Sequence, residues 1–352
     1  MTKVFASVAT SFIITFLIMP VIISFSKRKN VLDAPDRRKI HKENTPSLGG
    51  IAIYLGFIAA TFIWISFNGI VRYKYVLVAL SIIFIMGMRD DILPIRPRIK
   101  LLVQVATAAM IIALSGIQLQ SLYGLAGIGD INQIIGFVIS LFTIVVVTNS
   151  FNLIDGLDGL AGSIATVVLL FFGIWFLMIG ELHTPILAFS MLGAVLAFLT
   201  FNWEPAKIFM GDTGALVLGL LFSVLAIQFI NINHGLPIGS SYKFEASIST
   251  AICVIIIPLC DTLRIFIIRI SKGQSPFNPD KSHIHHALMR LGLKHYQTAL
   301  VLAGVNVGFI AVAIFFREYG DNILLPVILV IALLFSLSID LLIKRRVSSI
   351  RK

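Results

Sequence analysis

The sequence predicts an all-α polytopic integral membrane protein, and three observations support that prediction. Of the 352 residues, 58% are hydrophobic and only 13% are charged, whereas about a quarter of the residues of a soluble domain are charged. Apolar runs recur from residue 4 to residue 343, and no polar stretch between them is long enough to fold alone. A soluble enzyme is therefore excluded, and we expect one membrane-embedded domain over residues 1–352.

An apolar helix needs about 20 residues to cross a hydrocarbon core about 30 Å thick. By that rule the chain has eleven spans, of which the third is shortened by Arg72 and Lys74. The first span lacks a small-residue cleavage site and is followed by three basic residues, so we expect an anchor rather than a signal peptide. The predicted limits are 4–25, 48–67, 71–88, 100–117, 133–149, 158–180, 185–201, 212–230, 246–268, 297–316 and 323–343.

The charge distribution predicts the orientation. The chain has 28 Lys and Arg against 17 Asp and Glu, a formal net charge of +11. If the links between spans alternate sides, 22 basic residues fall on one side and 5 on the other, with Arg264 inside a span. This split satisfies the positive-inside rule and predicts an outer N-terminus and a cytoplasmic C-terminus. Anionic lipid headgroups then account for the excess charge, and no nucleic-acid partner is expected.

The links between spans differ in what they can build. On the outer side, residues 118–131 are rich in glycine with rough alternation, which is compatible with a short hairpin. The two cysteines, Cys253 and Cys260, share one apolar run and form no disulfide framework. We expect the functional site to be built by the cytoplasmic loops, which are 26–47, 89–99, 150–157, 202–211 and 269–296.

Carboxylates recur at one depth, the cytoplasmic ends of the predicted spans. A charged carboxylate costs roughly 2.5–3.5 kcal/mol at the centre of a membrane helix even on insertion scales. An apolar protein that keeps several acids at one level is therefore expected to use them. These residues are Asp90, Asp91, Asp155, Asp158, Asp212 and Asp261.

The segment from Asn149 to Gly159 combines amides, carboxylates and glycines ahead of the sixth span. If it is helical, a spacing of three places its polar side chains along one side, where their oxygens suit a hard cation. The alternative is that Asn and Asp serve as helix caps in a tight loop. The side chains concerned are Asn149, Asn152, Asp155 and Asp158.

Asp212 opens the eighth span between two glycines and follows Phe209. An Asp at this position can cap exposed amides, and a helix N-terminus with glycines also suits a phosphate or a metal–phosphate pair. The local pattern leaves capping and metal binding open, and the other carboxylates at the same depth favour metal binding.

A histidine cluster lies in the basic loop before the tenth span, at His283, His285 and His286. Zinc is one interpretation, but no cysteine is nearby and the carboxylates favour Mg²⁺ or Mn²⁺. Near-neutral histidines suit donation to phosphate oxygens. A solvated loop cluster without a role is the remaining alternative.

Two further charged groups have open interpretations. Asp261 and Arg264 are three residues apart in the ninth span, which is compatible with a structural ion pair or with a role in catalysis. Lys100, taken alone, is an ordinary positive charge on the cytoplasmic side.

Together these residues resemble the polyprenyl-phosphate N-acetylhexosamine-1-phosphate transferases, integral membrane enzymes that start cell-envelope glycan synthesis. The resemblance covers nearly the whole chain and rests on five motifs in the order of the family. The motifs are Asp36 to His41 with Pro46 to Gly50, Asp90-Asp91, Asn149 to Gly159, Asn202 to Asp212, and His283 to His286.

Within that family, the DGLDG stretch, the eleven spans and the His-Ile-His-His form look like the branch that uses UDP-N-acetylglucosamine (UDP-GlcNAc). The branch that uses UDP-N-acetylmuramoyl-pentapeptide (UDP-MurNAc-pentapeptide) typically has ten spans and a Pro-Ile-His-His-His form, whereas Ser282 precedes His283 here. UDP-MurNAc-pentapeptide and UDP-N-acetylgalactosamine (UDP-GalNAc) remain the alternative donors.

The resemblance implies that a UDP-sugar and undecaprenyl phosphate react to give undecaprenyl-pyrophosphate-sugar and UMP in the bacterial inner membrane, at a site facing the cytoplasm. It implies Mg²⁺ as the cofactor, with Mn²⁺ as a substitute, and matches Asp212 and Asn152 to metal ligands. Positions matched to catalysis are Asp90, Asp91, Asp155, Asp158, His283, His285 and His286, with Asp90 as the proposed base. Positions matched to substrate binding are Asn149, Asn202, Phe209, Lys100, Asp261 and Arg264.

A secondary transporter or lipid flippase is the rival from another class. Its acidic sites would lie near the bilayer midplane between internal repeats, whereas here the acids fall at one face and no repeat is visible. A homodimer is expected by analogy alone.

Overall fold

A computed structural model describes residues 1–29, 32–33, 45–237, 239–271, 273 and 283–350. The first motif of the resemblance, Asp36 to His41, lies outside these residues. The helices are α1 (Thr2–Arg28), α2 (Gly49–Trp64), α3 (Phe67–Ile92), α4 (Pro97–Ser115), α5 (Gln133–Ile154), α6 (Leu160–Met178), α7 (Thr184–Asn202), α8 (Gly211–His234), α9 (Ser247–Val254), α10 (Ile256–Ser271), α11 (Ile284–Arg290), α12 (His295–Phe315) and α13 (Asp321–Ile350).

The prediction of an all-α polytopic membrane protein is confirmed. In the described part of the chain, nine helices are long and apolar enough to cross a bilayer, or ten if α9 and α10, which meet at a bend of 84°, form one span. Helix α2 has 16 residues, which gives a length of only about 24 Å at about 1.5 Å per residue. The count of eleven requires α2 as a span and stays a prediction. The shortened third span is continuous over 26 residues as α3.

Two short extended segments accompany the helices. Strand β1 (Leu32–Asp33) pairs antiparallel with β2 (Thr45–Pro46), immediately before α2. In the outer link, Ser121 and Asp130 form one antiparallel bridge around a short 3₁₀ turn at Leu125–Gly127. Backbone hydrogen bonds from Leu122 to the Gly129 oxygen at 3.0 Å and from Ile131 to the Gln120 oxygen at 3.3 Å pair the same two halves, so the segment forms a short hairpin.

Helices α7 and α8 form the centre of the bundle, because nearly every face of each is buried, whereas α1 and α13 leave most of their apolar side chains exposed. Glycines allow the close approach of α8 to its neighbours. A Cβ at Gly50 of α2 would lie 2.1 Å from the Gly214 nitrogen, and one at Gly87 of α3 would lie 2.6 Å from Thr213 Cα. The first turn of α8 is thus held between α2 and α3.

Among the described residues, polar side chains meet at both ends of the bundle. At the end where α3 finishes and α4 begins, side chains of α3, α4 and α8 meet. We call this the site end. At the opposite end, Arg72 pairs with Glu181 at 3.1 Å and Asp321 accepts bonds from Ser249 at 2.6 Å.

Candidate active site

The N-terminus of α8 is capped by a carboxylate from another helix. Asp91, in the last turn of α3, accepts hydrogen bonds from the backbone nitrogens of Asp212 at 2.8 Å and Thr213 at 3.0 Å, and it also contacts the Thr213 hydroxyl. The first amides of a helix have no partner within the helix, and a negative charge is favoured there. The capping role considered for Asp212 therefore belongs to Asp91, and the Asp212 carboxylate is left for other contacts.

Gly211 allows this arrangement, because its φ of 70° is a left-handed conformation that favours glycine. A Cβ on Gly211 would lie 2.2 Å from the Ser47 carbonyl oxygen and 2.6 Å from Asp91 Oδ2. Upstream, Phe209 donates its N–H to the Pro46 oxygen at 2.7 Å and accepts from the Gly49 nitrogen at 2.9 Å. The Pro46 to Gly50 motif is therefore a backbone support for the start of α8.

A second acidic group, formed by Asp90 and Asp212, surrounds the ammonium of Lys100. Lys100 Nζ lies 2.6 Å from Asp212 Oδ2 and contacts Asp90 Oδ2. The ammonium therefore lies between the two carboxylates. The other Asp90 oxygen accepts from the Ile95 nitrogen at 2.6 Å. The structure thus brings Lys100 to the centre of the acidic cluster, which spacing in the sequence does not reveal.

The DGLDG stretch forms the loop between α5 and α6, not one helical face. Helix α5 ends at Ile154 and Gly159 has a φ of 74°, so the expected alignment of Asn149, Asn152, Asp155 and Asp158 along one side is wrong. Asn149 and Asn152 lie on the last turns of α5, and Asn149 donates to the Val145 oxygen at 2.8 Å and to Gln104.

Asp155 lies at the C-terminus of α5, close to the acidic cluster. Burial, followed by the negative charges of Asp212 and Asp91, raises the pKa of Asp155 to about 8, and a hydrogen bond from the Gly211 backbone opposes the rise. Three carboxylates from separate parts of the sequence therefore share one electrostatic environment at the start of α8. An added cation would relieve their repulsion.

Asp158 and Asn202 hold the loop that precedes α8. Asn202 accepts from the Gly159 nitrogen at 2.9 Å and donates to the Ile208 oxygen at 2.8 Å. Asp158 Oδ2 accepts from the Ala206 nitrogen at 3.2 Å. Both side chains, which the sequence assigns to substrate or catalysis, have structural contacts here, and their direct roles toward substrate stay predictions.

Asp261 holds the histidine cluster in place. Its carboxylate lies 2.8 Å from His283 Nδ1 and accepts from the Ile284 nitrogen at 2.7 Å, so it fixes the imidazole and caps α11. Arg264 donates to Asp340 Oδ1 at 2.6 Å. The bend between α9 and α10 thus brings a buried acid of the ninth predicted span to the loop histidines.

The histidine rings pack on one another beside the DGLDG loop. His283 and His285 stack with ring centroids 5.4 Å apart, and His285 and His286 have centroids 4.5 Å apart. A Cβ added to Gly156 would lie 3.1 Å from His285 Nε2. Burial lowers the pKa of His285 to about 3, so this ring is neutral near pH 7. A solvated loop without contacts is excluded for these three residues.

Two residues near the site are not among the candidates predicted from the sequence. His295 Nδ1, at the start of α12, lies 3.3 Å from Asp158 Oδ2. Glu204 accepts from the Tyr296 nitrogen at 3.0 Å and so caps the same helix. His295 belongs to none of the motifs, and Glu204 lies within the Asn202 to Asp212 motif at a position that the sequence pattern does not single out. Their contacts depend on the fold, which brings the start of α12 to these loops.

The donor chemistry fits a hard divalent cation. Within the described residues, no three His, Cys, Asp or Glu side chains converge in a ready metal cage, which gives no support to the zinc interpretation. Mg²⁺, however, is commonly bound by one or two carboxylates completed by water and substrate phosphates. Asp90 and Asp212 supply such oxygens, and they already hold a cation, the Lys100 ammonium.

Comparison with known proteins identifies the family of this chain. The model of the family described as glycosyl transferase family 4 matches residues 73–230, which include the acidic cluster and the DGLDG loop. A probable undecaprenyl-phosphate N-acetylglucosaminyl 1-phosphate transferase of Bacillus subtilis is 32% identical, over 88% of this chain and 83% of the relative.

Two further relatives cover similar lengths. An undecaprenyl-phosphate alpha-N-acetylglucosaminyl 1-phosphate transferase of Escherichia coli O157:H7 is 31% identical over 96% of this chain and 92% of its own. A decaprenyl-phosphate N-acetylglucosaminephosphotransferase of Mycobacterium leprae is 30% identical over 83% of this chain and 78% of its own. The chain therefore belongs to glycosyl transferase family 4, among its membrane-embedded sugar-phosphate transferases.

Proposed function

We propose that this protein transfers N-acetylglucosamine 1-phosphate from UDP-GlcNAc to undecaprenyl phosphate. The products are undecaprenyl-pyrophosphoryl-GlcNAc and UMP, and the reaction begins a cell-envelope glycan. The main support is the cluster of Asp90, Asp212 and Lys100 at the N-terminus of the buried helix α8. The relatives named for transfer of N-acetylglucosamine phosphate to a polyprenyl phosphate support the same reaction.

The site end suits a reaction between a soluble donor and a membrane acceptor. The basic residues of the sequence concentrate on this side, which favours the cytoplasmic face of a bacterial inner membrane under the positive-inside rule. A sugar nucleotide approaches from the cytoplasm, and the phosphate of the lipid lies at the membrane surface. The acids of a transporter would instead be expected near the bilayer midplane.

The reaction requires charge neutralisation more than covalent catalysis. An oxygen of the lipid phosphate bonds to the phosphorus next to the sugar, and the bond from that phosphorus to the bridging oxygen breaks, so that UMP leaves with the electron pair. Two unit charges about 4 Å apart repel by about 1 kcal/mol in water but about 4 kcal/mol at an effective dielectric of about 20. A divalent cation, which we propose to be Mg²⁺ with Mn²⁺ as a substitute, would supply positive charge to the phosphates.

The residues of the chain provide position and further charge. Asp91 fixes the first turn of α8 and with it Asp212, and Asp261 fixes His283. In this proposal Asp212 and Asp90 hold the cation, Asn152 is a further ligand, and Lys100 and the histidines contact phosphate oxygens. Asp155 lies beside these carboxylates, and its role in catalysis stays a prediction. The alternative role of Asp90 as the base for the lipid phosphate is not part of this proposal, because a carboxylate that holds a cation is a poor proton acceptor.

The test is UMP release by the purified protein in detergent with undecaprenyl phosphate, Mg²⁺ and UDP-GlcNAc. The proposal expects release only when all three are present and none with EDTA. Competition by UDP-GalNAc and UDP-MurNAc-pentapeptide separates the alternative donors. A folded protein that releases no UMP with any of these donors would contradict the proposal and favour the transporter alternative.

A further inference from the structure

Lys100 occupies the carboxylate oxygens that a metal would need. The Asp91 carboxylate accepts hydrogen bonds from the first turn of α8, and one Asp90 oxygen accepts from the Ile95 nitrogen. The remaining Asp90 oxygen and Asp212 Oδ2 both contact the Lys100 ammonium. A divalent cation bound between Asp90 and Asp212 would therefore need the place where the ammonium lies.

The position of Lys100 in its helix supports a mobile role. It lies near the N-terminus of α4, where the helix dipole disfavours a positive charge, and the first turn of α4 contains no acidic residue to offset it. Among the described residues, the ion-pair partners of Lys100 come from α3 and α8. The side chain is 24% exposed, and a lysine has a flexible four-carbon stem, so the ammonium can leave the carboxylates without a change in the backbone.

We propose that Lys100 is an exchangeable counter-ion, which neutralises Asp90 and Asp212 before the metal binds and moves to the phosphates of the sugar nucleotide once the metal has taken its place. This inference rests on the proposed function for the identity of the nucleotide. In this inference, metal binding frees the Lys100 ammonium to contact the pyrophosphate.

The direct test measures the reactivity of Lys100 in the wild-type full-length protein. An amine-reactive reagent is applied in detergent with EDTA, with Mg²⁺, and with Mg²⁺ plus UMP, and labelling is read at each lysine by mass spectrometry. We expect labelling of Lys100 to rise several-fold with Mg²⁺ and to fall again with UMP. Lys207 is exposed at the same end and forms no ion pair among the described residues, so it serves as the internal control and should not change.

A second measurement uses Mn²⁺ as the probe and requires no turnover. Mn²⁺ binding followed by electron paramagnetic resonance should be about tenfold tighter in Lys100→Gln than in the wild type, because the competing cation is gone. Lys207→Gln, which removes the same charge, should bind as the wild type does. Asp212→Asn should lose Mn²⁺ binding and the Mg²⁺-dependent labelling of Lys100 together.

The outcomes separate this inference from the proposed function. Equal or lower labelling of Lys100 with Mg²⁺, in protein shown to bind Mn²⁺, would overturn the exchange. No renewed protection by UMP would overturn the contact with phosphate, and equal Mn²⁺ affinity in folded Lys100→Gln would overturn the competition. In each case UMP release that still needs lipid, nucleotide and metal would leave the transferase proposal standing.

Discussion

Replacing Asp91 tests whether this residue acts by positioning α8. Asp91→Ala removes the acceptor for the amides of Asp212 and Thr213 and for the Thr213 hydroxyl. Loss of a helix cap costs about 0.5–2 kcal/mol, and a hydrogen bond to a charged group contributes about 1.5–3 kcal/mol. Because these contributions overlap, we expect a loss of stability of about 2–4 kcal/mol.

The chemical effect should follow from the displacement of Asp212. A catalytic group moved by about 1 Å commonly costs about 10²-fold in rate, so Asp91→Ala should lower turnover by about that factor. Asp91→Asn should be less damaging to stability, because one amide oxygen still accepts from Asp212. If the amide oxygen of Asn keeps the hydrogen bond from the Asp212 nitrogen, its NH₂ group faces the Thr213 N–H. Both groups are donors, so the hydrogen bond from Thr213 is lost.

The assay combines thermal unfolding in detergent with UMP release. Asp130→Asn is the matched control, because Asp130 is an exposed carboxylate at the opposite end of the bundle and its replacement should change neither quantity. Wild-type melting and wild-type turnover in both Asp91 variants would refute the positioning role. Wild-type melting with lost turnover would make Asp91 a direct participant instead.

Four further changes have expected outcomes. Asp212→Asn should abolish detectable UMP release while the melting temperature measured in EDTA stays near that of the wild type. Asp261→Asn should lower turnover by weakening the bond to His283 Nδ1, with a shifted pH profile of kcat as the readout. Gly211→Ala should unfold at lower temperature, because its Cβ would lie 2.2 Å from a backbone oxygen at a φ of 70°. His285→Gln should lessen the loss of stability between pH 7 and pH 4. The pKa of His285 is about 3 in the folded protein and about 6.5 in the unfolded chain. The unfolded chain therefore binds a proton first as the pH falls below about 6.5, and the folded protein loses stability.

Each of these expectations has an outcome that contradicts it. Full activity of Asp212→Asn at ordinary Mg²⁺ would remove Asp212 from the metal site. Unaltered kcat profiles in Asp261→Asn would make its contact with His283 a packing feature, and a Gly211→Ala protein with the wild-type melting temperature would mean that the loop adapts. Identical acid sensitivity of His285→Gln and the wild type, measured by thermal unfolding across the pH range, would mean that His285 is not buried as described.

Much of the fold follows from hydropathy, because the bilayer forces every apolar run of sufficient length into a helix. The ends of the helices follow less well. The fifth predicted span ends at residue 149, whereas α5 continues to Ile154, and Asn149 in its last turns donates to Gln104 of α4. The bend between α9 and α10 was not predicted, because a break within an apolar run leaves no change in hydropathy.

The candidate site could be located from the sequence, but the partners of its residues could not. Common depth of the acids predicted that Asp90, Asp155 and Asp212 belong together, and the structure brings them to the start of α8. Which acid caps a helix and which faces a cation depends on contacts between helices. The cap that Asp91 provides for α8 and the ion pairs of Lys100 were therefore not predicted, because neighbours on different helices have no fixed spacing along the chain.

The most direct test of the proposed function follows the phosphorus rather than the sugar. Purified protein is incubated with undecaprenyl phosphate, Mg²⁺ and UDP-GlcNAc carrying ³²P in the phosphate next to the sugar, and the lipid is extracted. Transfer of N-acetylglucosamine 1-phosphate predicts that the label enters the lipid fraction in equal amount to the UMP released, and that EDTA prevents both. Label that stays in the aqueous nucleotide while the sugar reaches the lipid, or no transfer by folded protein, would contradict the account.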